Sequence, residues 1–268
     1  MSKIISIHSF RGGTGKSNLI ANLAVLIALQ GKRVAIVDTD LQSPGIHALF
    51  NLDVNNLNGH NAQKTLNDYL WNNCSIVDTA YDVSSYLEIP SQGKVFLIPA
   101  SLNPEEITKI LSEGYNVTLL NSGFQQLIQE LQLDYLFIDT HPGLNKETLL
   151  SLAISHRILI ILRTDSQDFQ GTAVTMNIAR QLQLENILMV INKIPSQIDI
   201  HGLQKQIEQK YHVPVAGVLP FLEDMAILGS TGLFCLQYPD HYFTQKLKQV
   251  AEETIQDFQL IRKVESLT

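Results

Sequence analysis

The sequence predicts a doubly wound α/β fold, in which a mostly parallel sheet is flanked by helices. Short apolar runs alternate with longer segments whose apolar residues have helical spacing, as expected when crossover helices join parallel strands. A glycine-rich segment connects the first run directly to the first helix, and two later runs end in aspartate. All three features lie where strands end, at the edge at which open α/β sheets bind ligands.

The first strand is predicted over residues 3–8 and the first helix over residues 16–30, with Gly31 as its end. The segment between them reads FRGGTGKS. A strand that turns into a helix through several glycines has the layout of a phosphate-binding loop. The alternative is a glycine-rich turn with a chance Gly-Lys-Ser, which the other motifs of the chain disfavour.

The chemistry of this loop suits a nucleotide. Where side chains are missing, successive backbone N–H groups turn inward around an anion, and the helix start adds free N–H groups and a positive dipole end. Lys16 supplies an ammonium for the outer phosphates, and the Ser17 hydroxyl can ligate Mg²⁺. The residues predicted to contact the nucleotide here are Gly12, Gly13, Thr14, Gly15, Lys16 and Ser17.

The second apolar run, residues 33–38, is short and ends in a carboxylate. It predicts a buried parallel strand that delivers Asp38 to the ligand-binding edge of the sheet. Asp40 follows two residues later. Taken separately these are ordinary turn aspartates, but beside a phosphate-binding loop they predict functional carboxylates.

Residues 41–93 are the least informative part of the chain. They predict a short helix over 46–50, an asparagine-rich loop over 51–63 and a core-facing helix over 65–71. Residues 94–100 predict another buried strand.

A helix predicted over residues 119–133 leads into an apolar strand that ends in Asp139. A carboxylate at the end of such a strand reaches Mg²⁺ directly or through a water, so Asp139 is the predicted metal-side carboxylate. Residues 141–143, His-Pro-Gly, are predicted to move as a switch loop because they contain a glycine hinge. His141 is a candidate general base, although a positional role is the more common one for a loop histidine.

The remaining strands are predicted over residues 157–164, 187–191 and 213–219, with a helix over 169–184. A final helix over 240–261 has one apolar face, which is predicted to pack on the core. Its charges are mixed, whereas a membrane-binding helix needs a basic polar face.

Composition favours one domain over residues 1–268. The chain is 45% hydrophobic, enough for one large core, and its net charge of −7 argues against uniform coating of nucleic acid while allowing a local basic patch. Cys74 and Cys235 have no metal or redox spacing and fit a reduced cytoplasmic setting. Neither a secretion signal nor a membrane-spanning run is predicted.

The motifs as a set resemble those of the ParA/MinD family of ATPases. The ordinary P-loop has glycine where this chain has Phe10, whereas the doubled glycine before x-Gly-Lys-Ser is similar to the family's deviant Walker A. The family's signature lysine precedes that glycine pair, and here the position is Arg11. Asp-x-Asp, Asp-Thr-x-Pro and Asn-Lys then follow in the family's order.

The resemblance implies MgATP binding, an ATP-driven sandwich homodimer, and slow hydrolysis stimulated by an adaptor protein. It implies that Gly12 allows close approach of the partner subunit and that Asp40 orients the attacking water. Ser17, Asp38 and Asp139 would arrange the metal ion.

Two cations are candidates for the signature lysine's role, which is to reach the partner's phosphates. Arg11 has a planar fork suited to phosphate, and Lys146 opens a helix, where a cation is disfavoured unless it is used elsewhere. The alternative for both is a solvated surface cation. The resemblance also implies base contacts for Asn192, Pro220 and Phe221; for the last two, ordinary turn and core packing is the alternative.

In function, the chain looks like an ATPase that binds nonspecific DNA in its ATP state and positions a plasmid, a chromosome region or a protein organelle. The missing helix-turn-helix extension and signature lysine make it similar to small ParA-like cargo-positioning members such as the carboxysome-distribution protein McdA. The expected location is the cytoplasm, on the nucleoid. The basic candidates for the DNA-binding face are Lys205, Lys210, Lys246, Lys248, Arg262 and Lys263.

The main alternative is a MinD-like membrane-associated ATPase that regulates the placement of cell division. An iron–sulfur carrier needs further cysteines near the switch loops, and a tyrosine autokinase needs a tyrosine-rich tail. The sequence disfavours both.

Overall fold

In a computed structural model of the chain, the structure describes residues 2–54 and 64–256. Eight strands lie in these residues and join into one sheet. They are β1 (Lys3–His8), β2 (Arg33–Asp38), β3 (Tyr81–Asp82), β4 (Lys94–Ile98), β5 (Tyr135–Asp139), β6 (Arg157–Leu162), β7 (Ile187–Ile194) and β8 (Val215–Pro220).

The strand order is β3-β4-β2-β5-β1-β6-β7-β8. The two-residue strand β3 pairs antiparallel with β4, while the other neighbouring pairs are parallel. Later strands add on both sides of β1, so the chain reverses direction across the sheet there. The doubly wound, mostly parallel sheet predicted from the sequence is confirmed, and the segment after β1 lies at a switch point where such sheets bind ligands.

Ten α-helices lie within the described residues. They are α1 (Lys16–Ala28), α2 (Leu66–Leu70), α3 (Pro104–Glu113), α4 (Thr118–Glu130), α5 (Lys146–Ile154), α6 (Ser166–Gln181), α7 (Ile200–Tyr211), α8 (Glu223–Ile227), α9 (Phe234–Gln237) and α10 (Tyr242–Ile255). Three short 3-10 helices add to them, at Ile46–Phe50, Ile76–Thr79 and Ser84–Leu87.

Alternating strand residues supply the two faces of the sheet. On β6, Leu159 and Ile161 pack with α1 and α10, whereas Ile158 and Ile160 pack with α6 and α7. Helices α2, α3 and α4 cover the second face at the other end of the sheet. Because both faces are covered, each parallel strand is apolar along its whole length.

Helix α1 is buried on all sides from residue 19 to residue 28. It packs between the sheet and α10, which continues the same apolar cluster. A helix enclosed in this way has a fixed start, and that start is the end of the glycine-rich loop.

Two predicted boundaries were wrong. Strand β7 extends to Ile194, three residues beyond the prediction, because it resumes pairing with β8 after a register shift. The last helix was predicted to residue 261 but ends at Ile255. The end of that prediction and most of the predicted loop over 51–63 lie outside the described residues.

Candidate functional site

The glycine-rich loop leaves β1 and enters α1 through Gly15, whose φ is +95°. That angle belongs to the left-handed region that favours glycine. A Cβ on Gly15 would lie 2.7 Å from Nδ2 of Asn192, so glycine also permits the close approach of β7. Both requirements explain why the loop has glycine at this position.

The start of α1 is suited to an anion. Gly15 caps the helix without a side-chain hydrogen bond, and its first turn contains no acidic residue. Its first N–H groups and the positive end of its dipole are therefore directed at the loop. Lys16 is only 8% exposed and adds a cation at the same place.

One open cavity of about 430 Å³ brings together three segments that are distant in sequence. The glycine-rich loop contributes Lys16 and Ser17, the segment after β2 contributes Asp40, and the segment after β5 contributes His141 and Pro142. The cavity thus joins the predicted phosphate loop with both predicted switch loops.

Asp38 and Asp139 lie at the ends of neighbouring strands, β2 and β5, and are register partners. Both side chains are buried. Burial raises the pKa of Asp38 well above its ordinary value, and the charges of Asp139 and Asp40 raise it further. Asp38 accepts hydrogen bonds from the backbone N–H groups of Asp40, at 3.0 Å, and Gly45, at 3.3 Å.

Burial also raises the pKa of Asp139, to about 6, although the charge of Lys16 and a hydrogen bond from Ser17 act in the opposite direction. The Oδ1 atom of Asp139 is buried and has no hydrogen-bond partner among the described residues. An unpartnered carboxylate oxygen beside a serine hydroxyl and a second carboxylate is a donor set that suits Mg²⁺.

Within residues 2–54 and 64–256, no group of three or more His, Cys, Asp or Glu side chains is arranged to hold a metal ion. Mg²⁺ does not need one, since it usually keeps several waters and takes its remaining ligands from one or two carboxylates and substrate phosphates. The donor set around Asp139 is of this kind.

A contact that the sequence analysis missed joins the two switch loops. Nδ1 of His141 lies 2.6 Å from Oδ1 of Asp40. Both residues follow the register partners Asp38 and Asp139 by two positions, so the pairing of β2 with β5 brings them together. The register was the signal that could have found this contact.

The sequence analysis also passed over His8. This side chain is completely buried, and its Nδ1 lies 3.1 Å from the hydroxyl of Thr140. Because that hydroxyl donates to the carbonyl of Ile7 at 2.9 Å, Nδ1 of His8 donates in turn. Burial, followed by the charges of Lys16 and His141, lowers the pKa of His8 to about 3.

Asn192 and Lys193 support the glycine-rich loop from β7. Nδ2 of Asn192 donates to the carbonyl of Thr14 at 2.8 Å, and Nζ of Lys193 donates to the carbonyl of Gly13 at 2.8 Å. Lys193 has a φ of +57° at a register shift of the strand. This local bulge lets two consecutive side chains reach the same loop.

A second cavity, of about 150 Å³, lies beside the start of α1. Asn192, Pro220 and Phe221 line it together with apolar residues such as Met225 and Phe243. Phe221 is 58% exposed at its mouth. A largely apolar cleft next to a phosphate loop has the shape and chemistry for a planar base.

Arg11 and Lys146 are both exposed and do not line the phosphate cavity. The guanidinium of Arg11 donates to Oε1 of Gln167 on α6. Just before it, the ring of Phe10 packs on Gly171 of the same helix, where a Cβ would lie 2.1 Å from Cδ1 of the ring. The entry to the loop is thus docked on α6.

The basic candidates for a DNA-binding face are divided between two helices. Lys205 and Lys210 lie exposed on α7, and Lys246 and Lys248 lie partly exposed on α10. Arg262 and Lys263 lie outside the described residues. None of the helices that the structure describes is both long and apolar enough to cross a membrane.

A parallel α/β sheet with a glycine-rich phosphate loop at its switch point, and carboxylates at the ends of two adjacent strands, defines the class of P-loop nucleotide-binding proteins. Residues 5–233 match CbiA, the CobQ/CobB/MinD/ParA nucleotide binding domain. The chain belongs to this family.

Relatives and solved structures are similar over nearly the whole chain. An uncharacterized ATP-binding protein of Methanocaldococcus jannaschii is 27% identical over 99% of this chain and 94% of its own length. The fold is similar to that of MinD from Pyrococcus horikoshii with Mg-ADP, with a TM-score of 0.75, 20% identity and all of both chains covered. It is also similar to Cyanothece McdA in complex with ATP, with a TM-score of 0.73 and 18% identity over 94% of this chain and 96% of that one.

Proposed function

We propose that the chain is a MgATP-dependent ATPase that dimerises in its ATP state, binds nonspecific DNA as that dimer and positions a cargo with the help of an adaptor protein that stimulates hydrolysis. The observation that carries the proposal is the phosphate cavity, in which the glycine-rich loop, Asp40 and His141 meet beside two buried carboxylates. Membership of the MinD/ParA family and the similarity to McdA support the finer assignment.

The residues of the cavity divide the work of phosphoryl transfer. The loop N–H groups, the start of α1 and Lys16 bind the phosphates, and Asn192 with Pro220 and Phe221 bind the base. Asp40 orients the attacking water. Because phosphoryl transfer depends mainly on positioning and charge stabilisation, this set needs no covalent intermediate.

Ser17 and Asp139 would hold Mg²⁺, with Asp38 in the surrounding shell. The ion would bridge phosphate oxygens and offset their charge. The two carboxylates prepare this position: each is buried, each has a raised pKa, and a divalent cation relieves their mutual repulsion.

The loop is a deviant Walker A in which Arg11 or Lys146 supplies the trans-acting charge. The Arg11 guanidinium is held by Gln167 in the single chain, so its action on a partner requires that this contact be released. Measuring ATP-dependent dimerisation of Arg11→Ala and Lys146→Ala separately assigns the role. If both variants dimerise and hydrolyse ATP as the wild type does, neither residue is the trans-acting cation.

A gel shift with a nonspecific DNA duplex tests the DNA-binding step. With MgATP the wild type is expected to shift the duplex at low salt, and the shift should weaken steeply with added salt because phosphate contacts dominate. Lys16→Ala is the matched control that removes the phosphate-binding ammonium. A wild type that gives no shift with MgATP at low salt contradicts the proposal.

The second candidate is a MinD-like ATPase that acts at a membrane. The similarity to a MinD structure over the whole chain favours it. It predicts ATP-dependent pelleting with liposomes instead of a DNA shift, so the same protein samples decide between the two. The mixed charges of the polar face of α10 favour the DNA-binding candidate.

A further inference from the structure

The side chains of Asp40 and His141 form a closer pair than their positions in sequence suggest. The 2.6 Å contact joins Nδ1 of His141 to Oδ1 of Asp40, and the side chains are 24% and 14% exposed, respectively. Both residues line the cavity that contains Lys16 and Ser17. The pair therefore lies at the phosphate end of the site.

The two oxygens of Asp40 have different surroundings. Oδ1 accepts from His141 and, at 3.2 Å, from the backbone N–H of Ser43. Oδ2 has no hydrogen bond with the described residues, so it is available to a water or a substrate group. A carboxylate that is held by one oxygen and available at the other is suited to orienting a nucleophile.

His141 is anchored better than Asp40. Its carbonyl accepts from the hydroxyl of Thr148 on α5 at 3.2 Å, and the preceding Thr140 is bound to β1 through its hydroxyl. Asp40 instead begins a segment in which Gln42, Ser43 and Gly45 are exposed. The histidine thus fixes the carboxylate, and not the reverse.

We infer that His141 is a positioning residue for Asp40: its Nδ1–H holds Oδ1 so that Oδ2 is presented to the water that attacks the terminal phosphate. The inference rests on the proposed ATPase function and deepens it. It also replaces the general-base role considered for His141, because the nitrogen that contacts Asp40 acts as a hydrogen-bond donor.

Steady-state hydrolysis of MgATP by the full chain tests this role. His141→Ala is expected to lower kcat by about 10-fold, the effect of losing one hydrogen bond to a charged group, while the Kd for ATP changes by less than about 2-fold. His141→Asn keeps a donor near the position of Nδ1 but has no titratable group, so it should recover most of kcat. His201→Ala, an exposed histidine on α7, is the matched control.

The Asn variant separates the two roles of His141. Unchanged turnover in His141→Ala, or an Asn variant that turns over no faster than the Ala variant, overturns the inference. In an Asp40→Ala background, His141→Ala should lower kcat no further, because both changes remove the same positioned group.

Hydrogen exchange of the nucleotide-free protein supplies a readout that does not depend on hydrolysis. The Ser43 N–H, which is bound to Asp40, should exchange faster in His141→Ala and at the wild-type rate in His141→Asn. Equal exchange in all three proteins contradicts the anchoring of Asp40. If the wild type hydrolyses no ATP, the proposed function fails by itself, and the exchange result alone decides whether His141 fixes Asp40.

Discussion

Asp38 and Asp139 face each other as register partners at the ends of β2 and β5, with both carboxyl groups buried. Two buried like charges at neighbouring positions oppose each other, and the raised pKa values of both groups express that cost. The nucleotide-free protein thus carries an electrostatic strain that a bound cation would remove.

Asp139→Asn should stabilise the nucleotide-free protein. The pKa of Asp139 is about 6 in the folded chain, above its ordinary 3.8, so its stabilising contribution is complete below 3.8 and is lost as pH rises through 6. Removing the charge is expected to raise the free energy of unfolding by on the order of 2 kcal/mol near pH 7.5, and by less near pH 4. Urea unfolding at both pH values measures this, and a larger gain at the lower pH would be the wrong sign.

His8 should make the protein sensitive to mild acid. Its folded pKa of about 3 lies below its ordinary 6.5, so the unfolded chain binds a proton that the folded chain does not between these values, and stability falls as pH decreases through that window. His8→Asn keeps a donor for Thr140 without the titration. Between about pH 7.5 and pH 5 the wild type should lose about 2 kcal/mol more than the variant. Parallel pH curves from urea unfolding would contradict this.

Asn192→Asp should weaken nucleotide binding without a large change in volume. The carboxylate cannot donate to the Thr14 carbonyl, and it places a negative charge beside the phosphate loop. The expected loss is about 10-fold in affinity for MgADP, measured by calorimetry. Lys193→Met removes the contact with Gly13 and serves as the comparison at the neighbouring residue. An Asn192→Asp protein that binds MgADP as tightly as the wild type would show that this contact does not support the loop.

Gly171→Ala should disturb the phosphate loop from a distance. The added Cβ would lie within 3 Å of three atoms of the Phe10 side chain, so the side chain and the loop entry must move. Overpacking of this kind costs about 1–3 kcal/mol, and thermal unfolding should show the loss. Phe10→Ala in the same protein removes the collision, so the two changes should not be additive. Additive losses would mean that the two residues do not pack in solution.

Local sequence patterns were sufficient for the fold and for part of the site. The bounds of β1, β2 and the start of α1 follow from apolar runs, a terminal carboxylate and glycines, all within a few residues of one another. The contact of His141 with Asp40 and the burial of His8 depend on strand order and register, which pair residues about a hundred positions apart or more. The bulge at Lys193 was missed because a left-handed residue other than glycine leaves no mark in the pattern.

The site roles of Arg11, Lys146 and the three base-contact residues remain predictions, since no contact within one chain can assign them. The geometry restricts them nonetheless. Arg11 is bound to α6 in the single chain, and Asn192 supports the loop that would carry the phosphates. A role between subunits therefore needs a second copy to be visible.

Sedimentation of the full chain in the presence of different nucleotides tests the central claim most directly. Asp40→Ala, which should bind MgATP without hydrolysing it, is expected to sediment as a dimer with MgATP and as a monomer with MgADP. Lys16→Ala should remain monomeric with both. A monomer with saturating MgATP, or a dimer that forms regardless of nucleotide, would contradict an ATP-driven dimer switch.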